Sequence, residues 1–285
     1  DPQITGSLNL KTATFTSTLF SEPVTDGTVS IQFDRKKVSV DSLSMNMGKG
    51  IISAKGNVSF DGRSVSEIDL AVSADNLEFN RRKEYRFTVD SAKLHGTKQD
   101  AYYNFDGEII VGESEFTKDF DIKLLPSFMQ KVERPSPEPS EFATLARMDI
   151  LIRNNENIWI DNNIAHFRIR PNINLIGTLA RPNISGRITA EEGYLIYLDR
   201  KFRIQNGVME FIDPNRVNPI IDLTTITSVK SYQSLSGTSY AITLSVTGPL
   251  DEPVISLTSE PVLDKPDIMA LLTIGATRNQ ISGQS

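Results

Sequence analysis

The 285-residue sequence has no cysteine, two histidines and one tryptophan. Without cysteine there is no disulfide framework, no thiolate metal site and no cysteine nucleophile. His95 and His166 cannot on their own make a three-histidine metal centre, and no cofactor is expected. Long apolar runs are also missing, and no stretch approaches the ~20 residues that a membrane-spanning helix needs. The opening Asp1-Pro2-Gln3-Ile4-Thr5-Gly6 carries neither the basic region nor the apolar core of a secretory signal. It reads as the middle of a strand, so the chain is expected to be a mature product or a piece of a longer protein. Thirty Lys and Arg against 36 Asp and Glu leave a net charge of −6. A chain of this balance is a poor phosphate binder, and no nucleic-acid partner is expected.

What is abundant is alternation at period two. Val29, Ile31 and Phe33 share one parity, as do Ile52, Ala54, Gly56, Val58 and Phe60, and then Ile68, Leu70, Val72 and Ala74. The rhythm continues through Tyr103 and Phe105, Met148, Ile150 and Ile152, Phe167 and Ile169, Ile173 and Leu175, Ile184 to Ile188, Ile221 and Leu223, and Ile242, Leu244 and Val246. The positions between them are mostly Ser, Thr, Asn, Asp, Lys and Arg. Such a pattern means half-buried strands with one apolar and one wet face. At roughly ten-residue spacing it predicts on the order of twenty strands, an all-β protein. Asp26-Gly27, Asp61-Gly62, Asp106-Gly107 and Asn206-Gly207 tolerate positive φ and are expected at tight hairpin turns.

Helix is scarce. Pro266 to Ile274 is the best candidate, with Asp264 as cap and Gly275 as stop; a second short helix is expected over Ser127 to Val132. Three prolines in Arg134-Pro135-Ser136-Pro137-Glu138-Pro139-Ser140 remove donors and fix φ, so residues 134–141 form a loop or linker between segments 1–133 and 142–285. Two faint repeats stand out. Pro2-Gln3-Ile4-Thr5-Gly6 matches Pro182-Asn183-Ile184-Ser185-Gly186 in residue class, and Gly177 with Pro182 matches Gly248 with Pro253. About twenty one-faced strands must hide their apolar side, because an open sheet rarely exceeds ~10 strands without curling or splitting. Closed sandwiches or barrels are one solution, and the commoner one. A single long sheet curled into an apolar trough is the other.

The sequence offers little chemistry. No phosphate loop or nucleophile elbow is present, and Gly48-Lys49-Gly50 reads as a turn. The pairs Glu113/Glu115 and Asp119/Asp121 share the wet face of a strand and read as solvated charge. The basic runs Arg35-Lys36-Lys37 and Arg81-Arg82-Lys83 lie beside turns without interleaved aromatics. No enzymatic role is expected.

From Asn157-Ile158-Trp159-Ile160 onward the chain resembles a known family. The matching line runs Gly177-Thr178-Leu179-Ala180-Arg181-Pro182, Ile184-Ser185-Gly186-Arg187-Ile188, Glu192-Gly193-Tyr194-Leu195 and Asn218-Pro219-Ile220-Ile221-Asp222-Leu223. It ends in Gly248-Pro249-Leu250, Glu260-Pro261 and a helix closing with Leu271-Leu272 and Gly275. This line resembles the C-terminal domain of the TamB family, the translocation and assembly module subunit, within the wider AsmA-like, bridge-type lipid-transfer group. The resemblance implies a trough: a long curled, antiparallel-rich β-sheet (a β-taco) with an apolar lining and one short C-terminal helix. It implies a periplasmic segment of a diderm bacterium, in a parent anchored in the inner membrane. The implied partners are phospholipid acyl chains, conducted between the membranes, and an Omp85-family outer-membrane barrel of the TamA type. The alternative is an assembly factor that templates outer-membrane barrels or autotransporters by strand addition. With the parity above, the lining is expected to be Ile31, Phe33, Leu70, Val72, Phe105, Ile150, Ile169, Leu175, Ile188, Leu223, Leu244 and Val246.

Overall fold

The structure, a computed structural model, describes residues 4–16, 23–62, 64–119, 139–213, 216–231 and 238–278. The first half contributes β1 (Ile4–Phe15), β2 (Val24–Arg35), β3 (Lys37–Met47), β4 (Gly50–Asp61), β5 (Ser64–Arg81), β6 (Tyr85–Gln99), β7 (Tyr102–Val111) and β8 (Ser114–Phe116). After α1 (Glu141–Leu145) follow β9 (Ala146–Asn154), β10 (Ile158–Asp161), β11 (Ala165–Thr178), β12 (Arg181–Tyr197), β13 (Arg200–Phe211), β14 (Ile220–Lys230), β15 (Ser239–Pro249), β16 (Val254–Glu260) and α2 (Lys265–Ile274). All sixteen strands belong to one curled sheet. Its order is sequential from β1 to β7, then β9, then β11 to β16, with β8 and β10 off this path. The closed sandwich that periodicity alone favours does not form. The trough does.

Neighbouring strands are antiparallel except at two places. β7 runs parallel to β9, from Tyr103↔Ala146 to Val111↔Asn154, and β10 runs parallel to β8. A parallel neighbour cannot be reached by a tight turn and needs a long crossover. β7 ends at Val111 and β9 begins at Ala146, and strands on both sides of the proline-rich residues share one sheet. The helix expected over Ser127 to Val132 lies outside the described residues.

Two sequence expectations need correction. Sixteen strands, fewer than twenty, are present among the described residues, because several are long; β5 has 18 residues and β12 has 17. Of the four Gly-containing turn signals only Asp61-Gly62 turns a hairpin. Asp26-Gly27 lies inside β2, where Asp26 takes φ 52° and the pairing with β3 slips between Thr25 and Thr28. Asp106-Gly107 lies within β7, and Asn206-Gly207 lies within β13 beside a register shift. The positive φ that such dipeptides tolerate serves equally well in a β-bulge, which bends and twists a strand instead of reversing it.

The apolar face carries the core. The buried hydrophobic strand residues, including Met47, Leu77, Val89, Val111, Phe202, Ile242 and Leu244, fall on one side of the sheet. They gather in two clusters. One holds Val24, Met47, Ala74, Leu77 and Val89, contributed by β2, β3, β5 and β6. The other holds Phe202, Val229, Ile242 and Leu244 beneath Ile268, Leu271 and Leu272 of α2. α2 follows its sequence signals: the Asp264 carboxylate accepts from the Asp267 N–H, Pro266 sits in the first turn, and Gly275 ends the helix at φ 75°.

Curling crowds the inner face, and small residues relieve the crowding. At Gly56, within β4, φ is 153° and an added Cβ would lie 2.1 Å from the Asp69 carbonyl oxygen. Gly96 has a different reason: the Phe105 ring lies where its side chain would be, with Cε1 3.2 Å from a built Cβ. The faint glycine–proline repeat also has a structural counterpart. Gly177 and Gly248 take φ 92° and 98° near the ends of β11 and β15, each just before the hairpin that leads into a strand starting near Pro182 or Pro253.

Candidate functional site: the apolar face of the sheet

Directly paired residues on neighbouring strands share a face, so the registers trace the inner surface. One row runs Val29, Leu43, Ala54, Val72, Leu94, Gly107, Ile150, Leu175 and Ile184, each the partner of the next, across nine strands. The adjacent row runs Leu8, Ile31, Val40, Gly56, Leu70, Gly96, Phe105, Met148 and Gly177. Phe33 pairs with Gly6 and Val38 one step further toward the rim. In the second half, Ile188 pairs with Pro171 and Met209, Ile169 with Ala190, and Leu223 with Gly207 and Val246, while Leu244 pairs with Thr225 and Leu257. All twelve residues expected as lining therefore lie on one face.

Their exposure divides them. Ten are half-buried, as expected of side chains on a concave surface that water still reaches. Ile150 and Leu244 are buried, at 7% and 4% exposure. Leu244 lies in the cluster under α2, so a neighbouring element already covers it. α1 also reaches the inner face: the Phe142 ring stands 5.0 Å from Tyr103 and 6.5 Å from Phe105.

The alternation also runs through Tyr85, Phe87 and Val89, but the expected lining leaves this part of the face out. Phe79, Tyr85, Phe87, Phe116 and Ile158 line a pocket of about 450 Å³ near the turn between β5 and β6. Phe79 pairs with Phe87, and Tyr85 with Phe116. The signal was present but out of phase. Asn76 takes φ 54°, and neither it nor Asp90 opposite joins the ladder. Apolar parity thus changes from even (Val72, Ala74) to odd (Leu77, Phe79) along β5 without the face changing. A second depression, about 710 Å³, is bordered mostly by wet-row residues such as Lys55, Ser73, Lys93, His95 and Asp106.

The opposite face is charged and self-paired. His95 Nε2 lies 2.9 Å from Asp69 Oδ1, Arg153 donates to Glu108 at 2.5 Å, and Arg187 meets its register partner Glu210. The hydrogen bond from Arg153 holds the Glu108 carboxyl below the usual carboxylate range. Among the described residues no group of three or more His, Asp or Glu is placed to hold a metal ion. No described helix is long and apolar enough to cross a membrane. A polar outside and an apolar, half-open inside offer surface to a ligand and bring no described nucleophile–base pair together.

A single curled sheet with an uninterrupted apolar concave face defines a β-trough protein. A family model for the TamB C-terminal domain matches residues 41–285, and the chain belongs to the TamB family. No curated protein matches the sequence. The match takes in all of the second half and extends back to β3, well before the point where the sequence resemblance is easily read. The family gives the chain a role in outer-membrane biogenesis in the bacterial envelope.

Proposed function

We propose that the chain is a section of a lipid conduit, a periplasmic bridge whose inner face carries phospholipid acyl chains while headgroups stay in water. The observation that supports this most directly is the pair of register-matched apolar rows, each crossing nine strands, that stay half-exposed where a closed core would have filled them. An acyl chain leaving a bilayer unprotected exposes about 0.8 kcal/mol per methylene. A uniform apolar wall offsets that cost at every step, so sliding along it is nearly level in energy. The lining acts passively and no catalysis is involved. The anchor in the inner membrane and the contact with a TamA-type outer-membrane barrel belong to the parent protein in this reading.

The test is photocrosslinking from Leu70 and Leu94, which flank Val72 on the inner face. Phospholipid should be captured from both positions, and Val72→Arg should sharply reduce capture. Undiminished capture would remove this face from consideration as the path. A second reading has one observation of its own: among the described residues β1 and β16 each pair on one side only, so their outer edges can accept a strand. An assembly role by strand addition predicts capture of unfolded barrel strands at Leu8 or Ile255 and no lipid at Leu70.

A further inference from the structure

Inner-face side chains are buried in the cluster of Val24, Met47, Leu77 and Val89 and at Ile150, but there strand residues of the sheet bury one another; at the far end a helix lies over them. There Phe202 and Ile242 are 0% exposed and Leu244 is 4% exposed, because Ile268, Leu271 and Leu272 of α2 lie against them. The covering element is not a strand of the sheet. It follows β16 through the segment Pro261–Asp264, in which Val262 is 90% exposed. One polar attachment to the sheet runs from Arg200 Nε, which donates to the Leu272 carbonyl at 3.1 Å. Arg278, which follows the helix, pairs with Asp264 at its N-cap and Asp267 in its first turn, so these bonds lie within the helical segment and add none to the trough.

The helix is also apolar beyond the side it buries. Ile274 is 65% exposed, Met269 and Ala270 are half-buried, and only Asp267 and Thr273 are polar between Pro266 and Ile274. A helix that only completed a core would turn a polar side outward. This one offers apolar surface on both sides, as does a segment with a second position to occupy.

Resting on the conduit reading, we infer that α2 is a displaceable plug. It holds the place of an acyl chain on the strip formed by Phe202, Ile242 and Leu244, which is a latent lipid-binding section of the trough. The rows leading to it are continuous: Leu223 pairs with Val246, one step from Leu244 on the same face of β15, so cargo moving along the lining meets α2 as the next obstacle. While docked, the helix closes the trough at this end, and lipid advances past Val246 only when α2 lifts. The chemistry that recognises the strip is that of an unbranched apolar chain, because Phe202, Val229, Ile242 and Leu244 form it, with Thr225, Tyr197 and Tyr240 beside them and no charged residue in the cluster.

The absence of native cysteine makes the test clean. Asp199→Cys, in the turn beside Arg200, and Thr273→Cys, beside Leu272, place two exposed thiols across the contact, to be joined by a reductant-cleavable bis-thiosulfonate linker. The chain is incubated with vesicles containing phosphatidylethanolamine that bears a photoactivatable diazirine acyl chain, irradiated, and digested for peptide mapping. In the bridged form, peptides around Leu70 and Val72 should be labelled and those around Phe202 and Leu244 should not. Cleaving the linker should raise labelling of the latter several-fold. A Leu271→Ser, Leu272→Ser chain without the linker should be labelled there at least as strongly, which guards against a hinge that opens too seldom in the parent chain. Equal labelling of the Phe202 and Leu244 peptides in the bridged and cleaved forms overturns the plug while leaving the conduit standing. So does an unlabelled strip in the double-serine chain when Leu70 is labelled. If no peptide of the inner face is labelled in any form, the conduit reading fails and the plug with it.

Discussion

Replacing Leu271 by alanine tests how α2 is held. The side chain is fully buried, and Ile268 and Leu272 beside it are each 1% exposed. At about 1.5–3 kcal/mol for each fully buried side chain, the three contribute roughly 4.5–9 kcal/mol to docking, an upper figure because an extended chain is the reference. A ten-residue helix has little stability of its own in water, so leaving the sheet and melting are nearly the same event. Leu271→Ala in a well-packed site costs about 2–5 kcal/mol. At about 3 kcal/mol the open population rises by roughly two decades. Amide hydrogen exchange reports this directly: residues 265–275 should exchange about 100-fold faster. Peptides from β4 to β6 share no contact with the helix and should keep their rates. Acceleration below about tenfold in the helix would show that its side chains do not carry the docking energy. Equal acceleration across β4 to β6 would show that helix and sheet open as one unit, contradicting a separately displaceable plug.

Gly56→Ala should lower the urea midpoint by several times as much as Gly62→Ala. The first places a Cβ 2.1 Å from the Asp69 carbonyl oxygen, whereas the second meets nothing within 4 Å and costs only the ~1–2 kcal/mol of a left-handed φ. The Asp267 carboxyl is held below its ordinary value first by the Arg278 backbone N–H and then by its guanidinium. A depressed folded pKa contributes stability above the unfolded value and loses it as pH falls through the folded one. Exchange protection of α2 should therefore drop on acidification below the usual carboxylate range, and Asp267→Asn should flatten that dependence while lowering protection at neutral pH. The single tryptophan, Trp159, stacks on His166 at 4.8 Å with the rings 21° apart. His166→Ala should unstack it and shift its emission to longer wavelength, and unchanged emission would refute that contact.

Alternation in this chain dictates which residues share a face, because side chains in a strand point alternately to its two sides and a polar residue on the apolar side costs too much to be common. For that reason Ile31, Val72, Phe105 and Leu223, far apart in sequence, could be grouped from the sequence, and α2 could be bounded by its own caps, Asp264 and Gly275. Both are local properties, written within a few residues. Whether the apolar face closes on a second sheet or stays open as a trough is not local, since the same half-apolar strands satisfy either packing; the continuous pairing from β1 to β16 decided it. Phase was also decided in three dimensions. The breaks at Asn76 and Asp90 keep Leu77, Phe79 and Val89 on the inner face although their parity in sequence is reversed, because a bulge inserts a residue where strand meets strand and its position depends on the partner. The covering of Leu244 by α2 is decided in the same way. Sequence marks both as apolar, and only the return of the chain onto β13–β15 brings them together.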